Sequence, residues 1–328
     1  MEAGSGLPAS KRRIVMKTMK AIRIHGYGGP EVLVSEEVPL PQPGAAEALI
    51  RVHAAGVNPL DWKVRAGYLK DWLNHKFPLI PGWDVSGVVE TVGAEVTEVR
   101  PGEAVFGMLD FSRDGAYAEY TVARARDLAR KPDSLDHVYA ASVPLAALTA
   151  WQALFDVAGL TDGQTVLIHG GAGGVGHFAV QFANWRKARV VATASGRNVG
   201  FVRELGAAEV IDYGTTRFDE VVRDVDVVLD TLGGDVQERS WKVLRKGGIL
   251  VSTLGISSPD AGREFGVRAE GVGVRPDAGE LARIAALIDA RKVRPVIGVV
   301  VPLAEAAKAH ELSQSGHARG KIVLKVRD

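Results

Sequence analysis

Between Thr165 and Ala183 an apolar run, Val166-Leu-Ile-His169, leads into Gly170-Gly-Ala-Gly-Gly-Val-Gly176 and then into Phe178-Ala-Val-Gln-Phe-Ala. Gly171, Gly173 and Gly176 follow the spacing G-x-G-x-x-G after a strand pattern and before a helix pattern. In a dinucleotide site each glycine has its own task. Gly171 is expected to permit the tight turn, Gly173 to let the backbone approach a pyrophosphate, and Gly176 to let helix and strand pack closely. Gly174 and Val175 complete the loop. The helix that follows would offer unpaired N–H groups and its positive dipole end to the phosphates. Such a site serves hydride chemistry, and roughly a domain's length of chain precedes it to form the rest of a cleft.

The next strand pattern, Arg189-Val-Val-Ala-Thr-Ala, ends in Ser195-Gly196-Arg197-Asn198. A site for NADH places an Asp or Glu there to bind the ribose 2′-hydroxyl. No acid is present in those four residues. Arg197 can pair bidentately with a 2′-phosphate and Ser195 can donate to it, so NADPH is the predicted cofactor. The same four residues would also make a polar turn with a helix N-cap. Asp230-Thr231-Leu232-Gly233 and Leu254 end later strands on the edge where such sheets bind ligands, which marks Thr231 and Leu254 for backbone contacts.

The 328 residues suggest two domains of ordinary size, and 46% hydrophobic with 24% charged residues describes a globular chain with a large core. A net charge of +1 gives no field for nucleic acid or an anionic membrane. Absence of cysteine excludes disulfides, thiol nucleophiles and Cys–zinc sites. No apolar run reaches the ~18 residues of a membrane span. Residues 1–18, with Lys11-Arg12-Arg13, lack the apolar core of a secretory signal and read as a disordered extension, and the cytoplasm is the expected location.

Residues 19–127 read as short strands punctuated by Gly and Pro. Over 128–276 strands and helices alternate, which predicts a doubly wound parallel sheet covered on both faces. A helical pattern over Ala140–Leu154 is interrupted by Pro144. A strand is predicted over Phe265–Val274, an amphipathic helix after Pro276, and a β-like run over Gly320–Val326.

Several phrases sharpen this reading: Gly56-Val-Asn-Pro-Leu-Asp-Trp-Lys-Val-Arg-Ala-Gly, Pro81-Gly-Trp-Asp-Val-Ser-Gly-Val-Val, Gly115-Ala-Tyr-Ala-Glu-Tyr, Leu148-Thr-Ala-Trp and Ala207-Ala-Glu-Val-Ile-Asp-Tyr. Together with the mid-chain glycine motif, the chain resembles the zinc-free quinone oxidoreductase and enone reductase branch of the medium-chain dehydrogenase/reductase superfamily. The resemblance spans residues 19–328. It implies an α/β fold: a Rossmann cofactor domain over 128–276 and a discontinuous, β-rich GroES-like catalytic domain over 19–127 and 277–328. It also implies Tyr213 beside the 2′-phosphate, Thr149 near the nicotinamide, and a homodimer through the sheet edge around Ile249–Thr253 and Phe265–Val274. Where the zinc-dependent branch carries metal-ligating Cys and His, this chain has Asn58 and Trp83, so no metal is expected.

Without a metal, hydride transfer favours a carbon activated by conjugation, and the oxygen that collects charge needs preorganised donors. Asn58, Lys63 and Tyr68 are the candidate catalytic residues: Asn58 through its amide, Lys63 as a point charge or cofactor contact, Tyr68 as a proton donor. Many quinone reductases of this superfamily have tyrosine where Lys63 stands, which moves the resemblance toward enone reductases. Trp62, Trp83 and Phe111 would wall a flat substrate, with the core as the commoner place for a buried tryptophan. The basic tail Gly316-His-Ala-Arg-Gly-Lys321 reads as a solvated turn, with Lys321 touching the cofactor as the alternative. None of the six tyrosines precedes a lysine by four residues, which disfavours the short-chain dehydrogenase class. The expected activity is NADPH-dependent reduction of a small conjugated carbonyl or quinone. Two rivals stand beside it, an enoyl-thioester reductase and a non-catalytic NADPH-binding regulatory or structural protein.

Overall fold

The computed structural model describes residues 17–258 and 260–327. The predicted extension falls outside the described residues as far as residue 16, and the first strand runs from Thr18 to Arg23.

Two sheets carry the site. One has six strands, all parallel, in the spatial order Glu209–Asp212, Arg189–Ala194, Thr165–Ile168, Val225–Asp230, Leu244–Ser252, Arg268–Gly271. Numbered along the chain that order is 3-2-1-4-5-6, the doubly wound arrangement in which ligands bind where the order reverses. The central strand explains itself: Val166, Leu167 and Ile168 are all fully buried, as they must be between two helical layers. The reversal point lies between Thr165–Ile168 and Val225–Asp230, and the glycine loop leaves the sheet there.

The second sheet has seven strands, mostly antiparallel. Its long strand Glu47–Val57 pairs with Asp84–Val92 on one side, and with Tyr120–Arg124 and Lys321–Lys325 on the other. The C-terminal strand therefore inserts beside one from the first fifth of the chain. Strand Ile297–Pro302 pairs parallel to Lys321–Lys325.

Three sequence expectations change. The Ala140–Leu154 helix is two helices: His137–Ala141, capped by Asp136 accepting from Tyr139 N at 2.8 Å, and Pro144–Trp151, whose proline sits in the first turn where no N–H is missed. The Phe265–Val274 strand shrinks to Arg268–Gly271, preceded by a one-turn helix Ala261–Glu264. That strand alone forms this edge of the parallel sheet, because Leu244–Ser252 is covered by it; Ile249–Thr253 offers no edge for a dimer. Helix Ala278–Asp289, placed by sequence in the catalytic domain, buries Leu281, Ile284 and Ile288 against both helix Pro144–Trp151 and strand Leu128–Arg130 of the second sheet. The chain rejoins the second sheet only at Ile297.

The crossing segment is clamped to the glycine helix, Gly176–Trp185. Gln181 makes a two-way amide pair with Arg294, donating to its carbonyl at 3.0 Å and accepting from its N–H at 2.9 Å. His177 accepts from Val296 N at 3.2 Å through Nε2, so its Nδ1 carries the proton and donates to Gly173 O at 2.9 Å. Burial pushes the His177 imidazole down to about 4, which keeps it in this neutral form. No described helix is long and apolar enough to cross a membrane.

A side chain at Gly176 would stand 2.1 Å from the carbonyl oxygen of Gly170, a backbone atom that cannot step aside. Gly176→Ala is expected to lower unfolding free energy by about 1–3 kcal/mol. Gly200→Ala, in helix Val199–Glu204 with nothing within 4 Å of the added methyl, should be neutral or stabilising by up to about 1 kcal/mol. Urea denaturation of both variants checks the contrast.

Candidate active site

Helix Pro59–Arg65 begins with proline at its first position and Asn58 as its cap. Asp61 supplies the third-residue half of a capping box, accepting from Asn58 N at 2.8 Å. The Asn58 side chain turns away from the helix. Its Nδ2 donates to Asp84 Oδ2 at 2.9 Å, and its Oδ1 accepts from the ammonium of Lys321. Lys321 also lies 3.3 Å from Asp84 Oδ2, and the three residues are essentially buried. Asp84 Oδ1 accepts from Leu145 N at 2.7 Å, in the first turn of Pro144–Trp151, where the helix dipole favours a carboxylate.

Lys321 is not the solvated turn its sequence suggested. Its N–H donates to Val296 O and that of Gly320 to Ala172 O, both at 2.8 Å. The tail is thereby tied to the glycine loop. A methyl at Gly174 would lie 3.3 Å from Lys321 Cδ. The lysine therefore reaches Asn58 past a residue with no side chain.

Behind Asn58, Asp61 Oδ2 accepts also from Tyr117 OH at 2.9 Å, and His310 Nε2 lies 3.3 Å from that hydroxyl. All three are fully buried. Burial raises the Asp61 carboxyl to about 7 against the pull of its two donors, and lowers His310 to about 3.

Lys63, on the same helix, is half-buried and burial lowers its pKa. Its ammonium stands 5.8 Å from the Trp62 ring centre and makes no hydrogen bond among the described residues. Tyr68 meets Trp62 edge-on at 5.8 Å but is 69% exposed, at the rim. Trp83 is not part of a substrate wall. It is fully buried, donates to Arg113 O at 3.1 Å and packs edge-on against Phe111.

In the glycine loop the positive φ of +69° belongs to Gly170, not to Gly171 as the motif suggested. Gly171 is needed for space, since a side chain there would crowd Ala192 and Val202 at 3.0 and 3.1 Å. The loop is pinned to the neighbouring strand by Gly171 N donating to Thr193 O at 2.9 Å and Gly170 N to Thr193 Oγ1 at 3.2 Å. Gly173, Gly174 and Val175 lead into the helix N-terminus as expected.

At the end of the second strand, Arg197 donates to His317 O at 3.3 Å and Arg319 Nε donates to Asn198 Oδ1 at 2.7 Å. The basic tail thus brings a second guanidinium to this corner. Asn198 also donates to Ser195 Oγ at 3.0 Å, so its side chain holds the turn together. Tyr213 is 60% exposed at the end of the adjoining strand, where its N–H donates to Ala194 O at 3.1 Å. Asp212 lies beneath Gly196 and accepts from Gly214 N at 2.9 Å.

At the far side of the sheet edge, Thr231 Oγ1 donates to His169 O at 2.9 Å and lies over Gly170. Buried Asp230 holds the loop beyond it, accepting from Leu232 N, Gly233 N, Gln237 and Ser252 at 2.8–2.9 Å. Leu254 is half exposed on that edge. Thr149 is buried, its hydroxyl donating to Leu145 O at 2.7 Å. His169 is a core residue: Thr193 and Ser240 flank it at 3.2 and 2.9 Å.

Asp61, Asp84 and Asp230 carried no local signal as site residues, and Arg319 was visible only as one charge in a basic tail. A parallel sheet with a glycine loop at its reversal point, faced by a β-rich sheet, defines a nicotinamide-dependent oxidoreductase. Profiles described as alcohol dehydrogenase GroES-like domain and zinc-binding dehydrogenase match residues 44–133 and 205–324. The chain is 36% identical to the mitochondrial NAD(P)H oxidoreductase RTN4IP1 of Mus musculus, over 94% of this chain and 89% of that protein. It is 34% identical to 2-methylene-furan-3-one reductase of Solanum lycopersicum, over 93% and 79%. The quinone oxidoreductase structure from Coxiella burnetii superposes with a TM-score of 0.88 at 38% identity, covering 95% and 100%. The chain belongs to the medium-chain dehydrogenase/reductase superfamily, among its quinone oxidoreductase and enone reductase relatives.

Because folding raises the Asp61 carboxyl from 3.8 to about 7, the folded state holds a proton that the unfolded chain releases. Its effect is that stability falls as pH rises from about 4 to 7 and levels off above, by at most about 1.4 kcal/mol per pH unit. Half-buried His137 and buried His169, His177 and His310, all held neutral by desolvation, act in the opposite direction. The difference between wild type and Asp61→Asn isolates the carboxyl: urea melts at pH 5, 6 and 8 should show the variant gaining on wild type up to neutral pH.

Proposed function

We propose that the protein is an NADPH-dependent reductase of conjugated carbonyls or quinones that works without a metal ion. The observation that carries this reading is Lys63. A half-buried ammonium with no anion or carbonyl of its own among the described residues is a cation held ready for negative charge that arrives with the reaction. Bound NADPH would supply a hydride to the β-carbon of the acceptor, leaving charge on the carbonyl oxygen. Lys63 would face that oxygen or orient the nicotinamide, and Asn58 would donate its remaining amide hydrogen. Tyr68, at the rim, would pass a proton from solvent.

The phosphate end fits the same cofactor. Gly173 and Gly176 let the loop fold tightly over the Gly170 carbonyl at the start of the helix, and Arg197, Arg319 and Ser195 surround the strand end where an NADH site keeps an acid. A mycobacterial relative, 31% identical with a TM-score of 0.85, was solved in complex with NADPH, which supports the choice. For a metal the donor set fits poorly. Asn58 and Asp84 are engaged by an ammonium, and Trp83 stands where the zinc branch has histidine.

NADPH consumption with flat enones and with quinones tests the reading. Lys63→Ala should lower kcat by about 10²-fold; unchanged turnover removes Lys63 from the mechanism. Arg197→Ala should lower kcat/KM for NADPH by about 10- to 100-fold and leave that for NADH unaltered.

A further inference from the structure

We infer that Lys321 is a positioning residue, whose buried ammonium locks the Asn58 amide with Oδ1 turned inward and one Nδ2 hydrogen left for the substrate carbonyl. The inference rests on the proposed reductase reading and assigns it a part that neither motif nor tail spacing suggested.

The two ends of a carboxamide differ chemically. The oxygen only accepts and the NH2 group only donates. Here the oxygen meets an ammonium and the nitrogen meets a carboxylate. A flipped amide would set N–H against the Lys321 ammonium and C=O against Asp84, two repulsive contacts in a dry site. Charge therefore fixes the orientation. Asp84 cannot yield, because Leu145 N holds its other oxygen at 2.7 Å. Of the two Nδ2 hydrogens one goes to Asp84, and no described residue accepts the other.

The lock is tied to the cofactor loop. Lys321 passes Gly174 in van der Waals contact, and Gly320 N holds Ala172 O. The ammonium is committed to Asn58 and Asp84 rather than offered to a phosphate. The positive charge at the strand end comes instead from Arg197 and Arg319. Lys321 thus acts on the reaction through Asn58.

Lys321→Met keeps the stem beside Gly174 and removes the charge. At saturating NADPH its kcat should fall by about 10²-fold while the NADPH Kd, read by nicotinamide fluorescence, shifts by less than about threefold. Asn58→Ala should lose a similar factor, and the double variant should lose no more than Asn58→Ala alone. Losses that multiply in the double variant would overturn the inference. So would a raised Kd with kcat intact, which would make Lys321 a cofactor contact. Should Lys321→Met fail to fold, K321M/D84N removes both buried charges; full turnover there also overturns it. If wild type oxidises NADPH with none of the acceptors, the reductase reading falls but the lock stays readable. The Asn58 side-chain NH2 signals in 15N spectra, identified by their loss in Asn58→Ala, should move in Lys321→Met, and unmoved signals would refute it.

Discussion

The buried pair of Lys321 and Asp84 is the constraint around which the rest is arranged. Removing two opposite charges from water costs several kcal/mol for each, and attraction alone rarely recovers it. The remaining valences have to be filled. Asn58 accepts a hydrogen bond from the ammonium and donates one to the carboxylate, while Leu145 N, at a helix start, donates to the other carboxylate oxygen. Asp84 and Lys321 lie on strands of the second sheet and Asn58 follows its long strand, so the pair is satisfied only when helix Pro144–Trp151 seats Leu145 N against them. Leaving either charge alone would cost about 3–5 kcal/mol. The result is a polar junction that fixes two lobes at the place where chemistry needs them.

From that junction the site divides its charges by task. Lys63 has no hydrogen-bond partner among the described residues and is partly desolvated, as the proposed reaction would use it. Arg197 and Arg319 gather on the exposed turn after the second strand, drawn together by His317 O and Asn198. Asp61 is the reverse case, a carboxyl so buried that two hydrogen-bond donors do not keep it ionised below neutral pH. It holds the helix start by accepting from Asn58 N and Tyr117, and neither bond requires a full charge.

Features written in neighbouring residues were legible in the sequence. The glycine loop follows from spacing alone, and the acid-free turn at Ser195–Asn198 from what stands about 20 residues beyond it. Even there, the pair Gly170-Gly171 hid which glycine turns the chain, because both fit and only φ separates them. Long-range pairings left no trace. Lys321 and Asn58 are 263 positions apart, and a lysine before a final strand looks like solvent-facing charge until that strand is placed beside Glu47–Val57. For Trp83 the sequence left cleft wall and core both open, and the structure settles it as core, its indole satisfied by Arg113 O. Helix Ala278–Asp289 was legible as a helix with one buried face, but amphipathicity does not say that this face meets both helix Pro144–Trp151 and strand Leu128–Arg130.

The late return of the C-terminal strand also bears on how the protein is made. Glu47–Val57 is synthesised before the whole parallel sheet, yet one of its neighbours, Lys321–Lys325, is synthesised after it. Until then part of its edge stays unpaired, with the aggregation hazard of any open strand edge. Domains near the start of a nascent chain usually fold first. Here the parallel sheet can mature while the earlier-made sheet waits for Lys321–Lys325, and the Lys321–Asp84 junction cannot exist before that strand is made.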